Sequence, residues 1–196
     1  MPPNQVLRVK VVLREIEPAI WRRIEIPADY NFWDLHVAIQ DAMGWLDQHL
    51  HVFRIPLSGG KAMEIGIPDP DNPRDPMAPG WIVPVMGILP LELPVEYLYD
   101  FGDGWSHAVT LESIGPGARG AKYPRCTDGA RVCPPEDCGG PPGYQNVLEV
   151  LTRPGEPEYA EMLEWLGGRF DPETFSPKRV RFDNPKERFD LAFGDE

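Results

Sequence analysis

Three short stretches of the 196-residue chain gather side chains whose types and spacing could bind a metal or move a proton. The first is His49 and His51. The second is Asp100, Asp103 and His107. The third holds Cys126, Cys133 and Cys138, with Glu136 and Asp137 between the last two cysteines. Thiolates bind zinc well and a histidine can complete a tetrahedral set. Cys126, Cys133, Cys138 and His107 are therefore one candidate zinc site, although the spacing Cys126-x6-Cys133-x4-Cys138 lacks a paired C-x2-C knuckle. Asp100 and Asp103 with the histidines would suit a harder metal. Glu136 or Asp137 beside a histidine offers general acid–base chemistry. Each group also has a plain structural role open to it. A buried histidine can satisfy a backbone carbonyl, a cysteine can act as a small hydrophobe, and a carboxylate can close a turn.

Whether these residues meet depends on the elements that carry them. Residues 6–14 alternate, with Leu7, Val9, Val11 and Leu13 on one face, and residues 20–26 repeat the pattern with Ile20, Ile24 and Ile26. Two half-buried strands joined as a hairpin are expected. A helix is predicted over 31–44, capped by Asp29 or Asn31 and ended by Gly44. His36 rides on it, in a structural or exposed position. A third strand is predicted at 49–55. Residues 95–101 and 105–114 form a second hairpin around Gly102, Asp103 and Gly104. Helices are predicted near 144–152 and 157–167, and the apolar tail from Phe170 should pack back on the domain.

Alternation then places His49 and His51 on the face of Phe53 and Ile55, and His107 on the face of Trp105, Val109 and Leu111. Three inward histidines near strand ends are expected to converge on one pocket. Between these elements lies a Pro-rich excursion at 57–94, with eight prolines from Pro68 to Pro94. Proline removes a ladder donor, so regular structure should be sparse there beyond a short strand around 63–67. A lid or partner surface and a packed excursion are both open. The fold class is α+β, one domain over 1–196. It comprises a mixed or antiparallel sheet of opening ββαβ order, compatible with a β-grasp topology, and C-terminal helices packed on it.

The net charge of −12 opposes a polyanion unless a local basic patch is hidden. Arg22 with Arg23, and Lys178, Arg179 and Arg181, are the candidates. Residues 1–5 show neither the charged nor the apolar part of a signal peptide, and no apolar run approaches membrane-spanning length. Three cysteines confined to 126–138 do not make a secreted disulfide framework. A cytoplasmic location is expected, with no membrane partner.

The segments HLHVF (49–53), YDFGDGWSH (99–107) and CPPEDCGGPPGY (133–144) together resemble the plasmid pRiA4b ORF-3-like family. IEPAIWRRIEIP (16–27) is similar to that family's start and FDPETF (170–175) to its ending; the stretch 68–94 departs from it. The resemblance implies a compact α+β protein of a family without an established activity. Its motifs coincide with His49, His51, Asp100, Asp103, His107, Cys133, Glu136 and Asp137. Some members carry a transposon-resolvase label, which would imply a mobile-element role. The serines here, Ser58, Ser106, Ser113 and Ser176, do not supply an N-terminal nucleophile supported by arginines. Three functions are compatible with these residues. The first is a non-catalytic binding domain, for a protein or small molecule, whose His/Cys/Asp cluster can hold a metal such as zinc. The others are a metal-dependent hydrolase and a mobile-element nucleic-acid role.

Overall fold

A computed structural model describes residues 5–72 and 74–194. The opening hairpin is β1 (Gln5–Leu13) with β2 (Trp21–Pro27), antiparallel, Leu7 opposite Ile26 and Val9 opposite Ile24. Leu7, Val9, Val11, Leu13, Ile20, Ile24 and Ile26 are buried as alternation requires. Helix α1 (Phe32–Met43) follows. Asn31 caps it and Asp34 returns the bond, forming a capping box, and Gly44 ends it in the left-handed conformation that glycine tolerates.

The remaining strands are β3 (His51–Pro56), β4 (Ala62–Gly66), β5 (Ala78–Pro79), β6 (Val95–Tyr99), β7 (Trp105–Pro116) and β8 (Arg125–Ala130). They join the hairpin in one sheet of order β5-β4-β3-β6-β7-β1-β2-β8, antiparallel except for the β4–β5 pair. The fold is thus α+β with a mixed sheet. β3 does not neighbour the opening hairpin, because β6 and β7 stand between it and β1. β3 also begins two residues later than alternation alone suggested, which leaves His49 ahead of the strand. β8 was not predicted, and it lies in a stretch rich in Gly and Pro. It adds to the sheet by pairing with the exposed edge of β2.

One face of the sheet carries the core. The other carries cross-strand ion pairs, among them Arg8–Glu25–Arg125, Arg23–Glu112 and Glu64–Arg54–Glu96. The Pro-rich excursion is packed. Val85 and Leu89 enter the core, and the carbonyls of Val83 and Gly80 accept from the N–H groups of Phe32 and Trp33. It therefore satisfies donors that the first turn of α1 leaves open.

Helix α2 (Gly140–Leu151) starts earlier than predicted because Pro141 and Pro142 fit a first helical turn, and α3 (Pro157–Trp165) follows. The tail does pack back, through a helix that was not predicted, α4 (Pro185–Phe193), capped by Asn184. Phe189 and Phe193 meet Trp33 and Trp81 edge-on or tilted at 5.4–5.7 Å. Arg188 lies 2.7 Å from Asp41 and 3.6 Å from Asp47, and also contacts Asp183.

Because Asp41 and Asp47 are largely buried, Arg188→Ala leaves two carboxylates without their cation. Urea denaturation should show a loss of about 2–4 kcal/mol; a loss below about 0.5 kcal/mol, the range of an ordinary surface change, would show that α4 is not held this way.

Candidate functional site

Three turns meet at one end of the sheet. In the β6–β7 turn, Asp100 adopts φ +54°, a left-handed conformation that aspartate tolerates better than most residues. Its Oδ1 accepts from Gly102 N (2.9 Å) and Asp103 N (3.3 Å). Its Oδ2 is left facing His49 Nε2 at 3.6 Å. Asp137, also at φ +54°, brings its Oδ1 to 3.1 Å from the same nitrogen. His49 sits on the segment between α1 and β3, its ring edge-on to Tyr99. The ligand-capable atoms of His49, Asp100 and Asp137 all lie within 4.8 Å of one another. His49 Nε2 is out of solvent yet makes no hydrogen bond to either carboxylate, despite the short distances.

The walls of this site are tied together. Asp103 Oδ2 accepts from Gly139 N at 3.1 Å. Glu136 accepts from Leu46 N at 2.8 Å and from the Tyr99 hydroxyl at 3.1 Å. That hydroxyl in turn accepts from Gln48 N at 3.0 Å. Trp45 Nε1 donates to Pro134 O at 2.9 Å, and its ring stacks on Tyr99. Burial, reinforced by Glu136, pushes the Tyr99 hydroxyl far up its ordinary range, so it stays a donor.

Alternation placed His51 and His107 inward, and both are buried. They do not join His49, however. His51 stacks on His36 with ring centroids 3.5 Å apart and an interplanar angle of 10°. His107 lies beneath Trp45 and sets Nδ1 3.2 Å from Tyr97 O. The expected convergence of three histidines fails because the segment before β3 is not extended, so the two-residue period does not reach His49.

The cysteine–histidine zinc set is not assembled either. Among the described residues the metal-capable group is His49, Asp100 and Asp137. Pairing with Ile24 fixes Cys126 on the edge strand, where its thiol sits 3.4 Å from Asp128 O. Cys133 is buried in the core and Cys138 is half-buried. Burial pushes both thiols up, Cys138 to about 12, which works against the thiolate form that a metal needs.

Sequence reasoning missed a second polar group. His36 Nδ1 lies 2.8 Å from the Tyr97 hydroxyl and its Nε2 lies 2.7 Å from Asp47 Oδ1. Gln40 also donates to Tyr97, at 2.9 Å. The signal was present: His36 falls four residues after Phe32 and four before Gln40, on the buried face of α1.

This arrangement can be set beside known proteins. The family description "Plasmid pRiA4b ORF-3-like protein" matches residues 5–179. The chain belongs to that family. A relative, "Uncharacterized protein y4hQ" of Sinorhizobium fredii, is 38% identical over 165 residues, covering 83% of this chain and 81% of its own. A solved structure of this kind, the "Protein of Unknown Function MM3350" from Methanosarcina mazei Go1, is 42% identical with a TM-score of 0.83. That likeness spans 91% of this chain and 98% of the other. The segments 49–53, 99–107 and 133–144, on which the resemblance rested, supply His49, Asp100 and Asp137 of the site. Among the described residues, no helix is long and apolar enough to cross a membrane.

His107 gives a pH prediction. Burial lowers its pKa from 6.5 to about 4, so the folded state binds its proton less readily than the unfolded chain. Its contribution is complete above pH 6.5 and is lost as pH falls toward 4. Stability should drop by up to about 3 kcal/mol across that window from this residue. In denaturation at several pH values, His107→Gln should flatten the slope, while His51, also lowered by burial, retains part of it. An unchanged slope would refute the assignment.

Proposed function

We propose that this family member is a cytoplasmic, non-catalytic binding domain in which His49, Asp100 and Asp137 hold one divalent cation. The observation that carries this reading is His49 Nε2, buried and without a hydrogen bond, between two carboxylate oxygens at 3.1 and 3.6 Å. Atoms ligating one ion at about 2.0–2.2 Å stand about 3.0–3.6 Å apart. A protonated imidazole paired with either aspartate would instead aim its N–H along the bond.

One nitrogen and two carboxylates suit zinc or manganese better than calcium. Asp100 is buried while the Asp137 side chain is 64% exposed, so the site opens to solvent on one side. An ion there would clamp the β6–β7 turn, the 133–140 segment and the start of β3, and would present open positions to a small-molecule or protein partner. The cytoplasmic setting rests on three cysteines that form no disulfide framework.

Glu136 speaks against the hydrolase alternative. Of the two candidate bases for a metal-activated water, Glu136 has its carboxylate engaged by Leu46 N–H and the Tyr99 hydroxyl, and Asp137 is itself a ligand in this reading. A mobile-element nucleic-acid role has the −12 charge against it.

Thermal unfolding with and without chelator tests the reading. Apo protein given zinc or manganese at a hundredfold over Kd should gain about 2.7 kcal/mol. Asp137→Asn, an exposed change that leaves the core intact, should abolish the gain. Protein that purifies without metal, shows no added stability in either ion and does not respond to chelator would overturn it.

A further inference from the structure

The alternation that buries Ile20, Ile24 and Ile26 also turns Arg22 inward, where it is 1% exposed. Its Nε donates to Ala42 O, and Nη1 donates to Trp21 O and Ala130 O, each at 2.8 Å. Nη2 has no acceptor, and no carboxylate lies within ion-pair distance, among the described residues. The guanidinium carbon sits 3.8 Å from the centre of the Phe175 ring. That stacking is built in: a Cβ at Gly129 would collide with Phe175. A buried cation is costly unless it is paired. Three carbonyls, one of them at the C-terminal end of α1, offset only part of that cost. Burial accordingly pulls the Arg22 guanidinium below its ordinary value, although Cys133 and Cys126 act the other way.

Arg22 forms part of the wall of a cleft of about 490 Å³ between the end of α1 and residues 174–183. That volume is within the range of small-molecule sites. The other basic cluster seen in the sequence arrives at the same cleft through Arg179 and Arg181. Neither has an acidic partner among the described residues. The two aspartates that line the cleft, Asp41 and Asp183, are both occupied by Arg188. Between these charges lie Met43, Trp45, Leu46 and Phe175. In a chain of net charge −12, this is a concave surface where unpaired positive charge exceeds negative.

We propose that this cleft binds a small organic anion, its carboxylate or phosphate group on Arg22 Nη2 and its apolar body against Phe175 and Trp45. Arg179 and Arg181 at the rim draw the anion in, and Arg22, held in place by the carbonyls on Nε and Nη1, presents its free Nη2 as a fixed, charge-assisted donor that orients it. This site is independent of the cation proposed above.

Nuclear magnetic resonance titration of the full chain, in chelator to silence the cation site, tests the proposal with three probes: phenylacetate, phenyl phosphate and the neutral 2-phenylethanol. At least one anion should give saturable shifts at millimolar concentration, centred on Gly44, Trp45, Phe175 and Ser176, and the alcohol should not. Which anion binds more tightly separates carboxylate from phosphate ligands. Arg22→Lys, which keeps the charge but loses the anchored Nη2 donor, should weaken binding about tenfold or more. Should that variant not fold, the surface double variant Arg179→Ala/Arg181→Ala should weaken it several-fold instead. No saturable shift with either anion, equal binding of the alcohol, or wild-type affinity in a folded variant would each overturn it.

Discussion

The candidate site depends on one close approach, between the backbone of Asp103 in the β6–β7 turn and Gly140 at the start of α2. A Cβ at Gly140 would run into the Asp103 carbonyl, and one at Gly143 would run into that of Cys138. Gly139 and Gly140 both take positive φ, where glycine meets no steric penalty. The bond from Gly139 N to Asp103 Oδ2 secures the contact. Only because these backbones touch does Asp137 stand over Asp100, more than thirty residues away in sequence. Gly140 is therefore a steric requirement of this joint, Gly143 is one of the turn that leads into α2, and the carboxylates on the two segments inherit their positions from the contact.

A second constraint meets the first in the segment between α1 and β3. Asp47, at φ +58°, points to His36 and Arg188. His49 points to the two aspartates, and His51 stacks on His36. Residues 47 and 51 thus both meet His36, while residue 49 between them faces the two aspartates. The buried set around Tyr97 holds one end of this segment, and Glu136 with Trp45 and Tyr99 holds the other. Displacing Arg188 or Glu136 would move His49 without touching it, because the segment has little freedom between its anchors.

Much of the fold was legible because alternation is a local property. It identified β1, β2, β6 and β7 and the inward aim of His51 and His107. The motif residues Asp100, Asp137 and His49 were also legible as chemistry. What periodicity could not supply was their grouping, since it rests on left-handed aspartates and a glycine contact between distant turns. His36 was underrated because a polar residue on an apolar helix face looks exposed until its partners, Tyr97 and Asp47, are known. The cysteine set failed for a related reason. Pairing of β8 with β2, which decides where Cys126 goes, is a long-range event in a stretch rich in Gly and Pro. Arg22 is a further case. The sequence marked it only as half of a basic pair with Arg23, although it shares the parity of Ile20, Ile24 and Ile26, and its lack of a counter-charge depends on everything packed around it.

The central claim is that the metal-capable centre uses one imidazole and two carboxylates from three turns, with no thiol. Electron paramagnetic resonance and optical spectra of the manganese- and cobalt-loaded protein address it most directly. Coupling to a single histidine nitrogen that disappears in His49→Gln, without a thiolate-to-cobalt charge-transfer band, is the expected result. Two or more nitrogens, a thiolate band, or an unchanged spectrum in His49→Gln would contradict it.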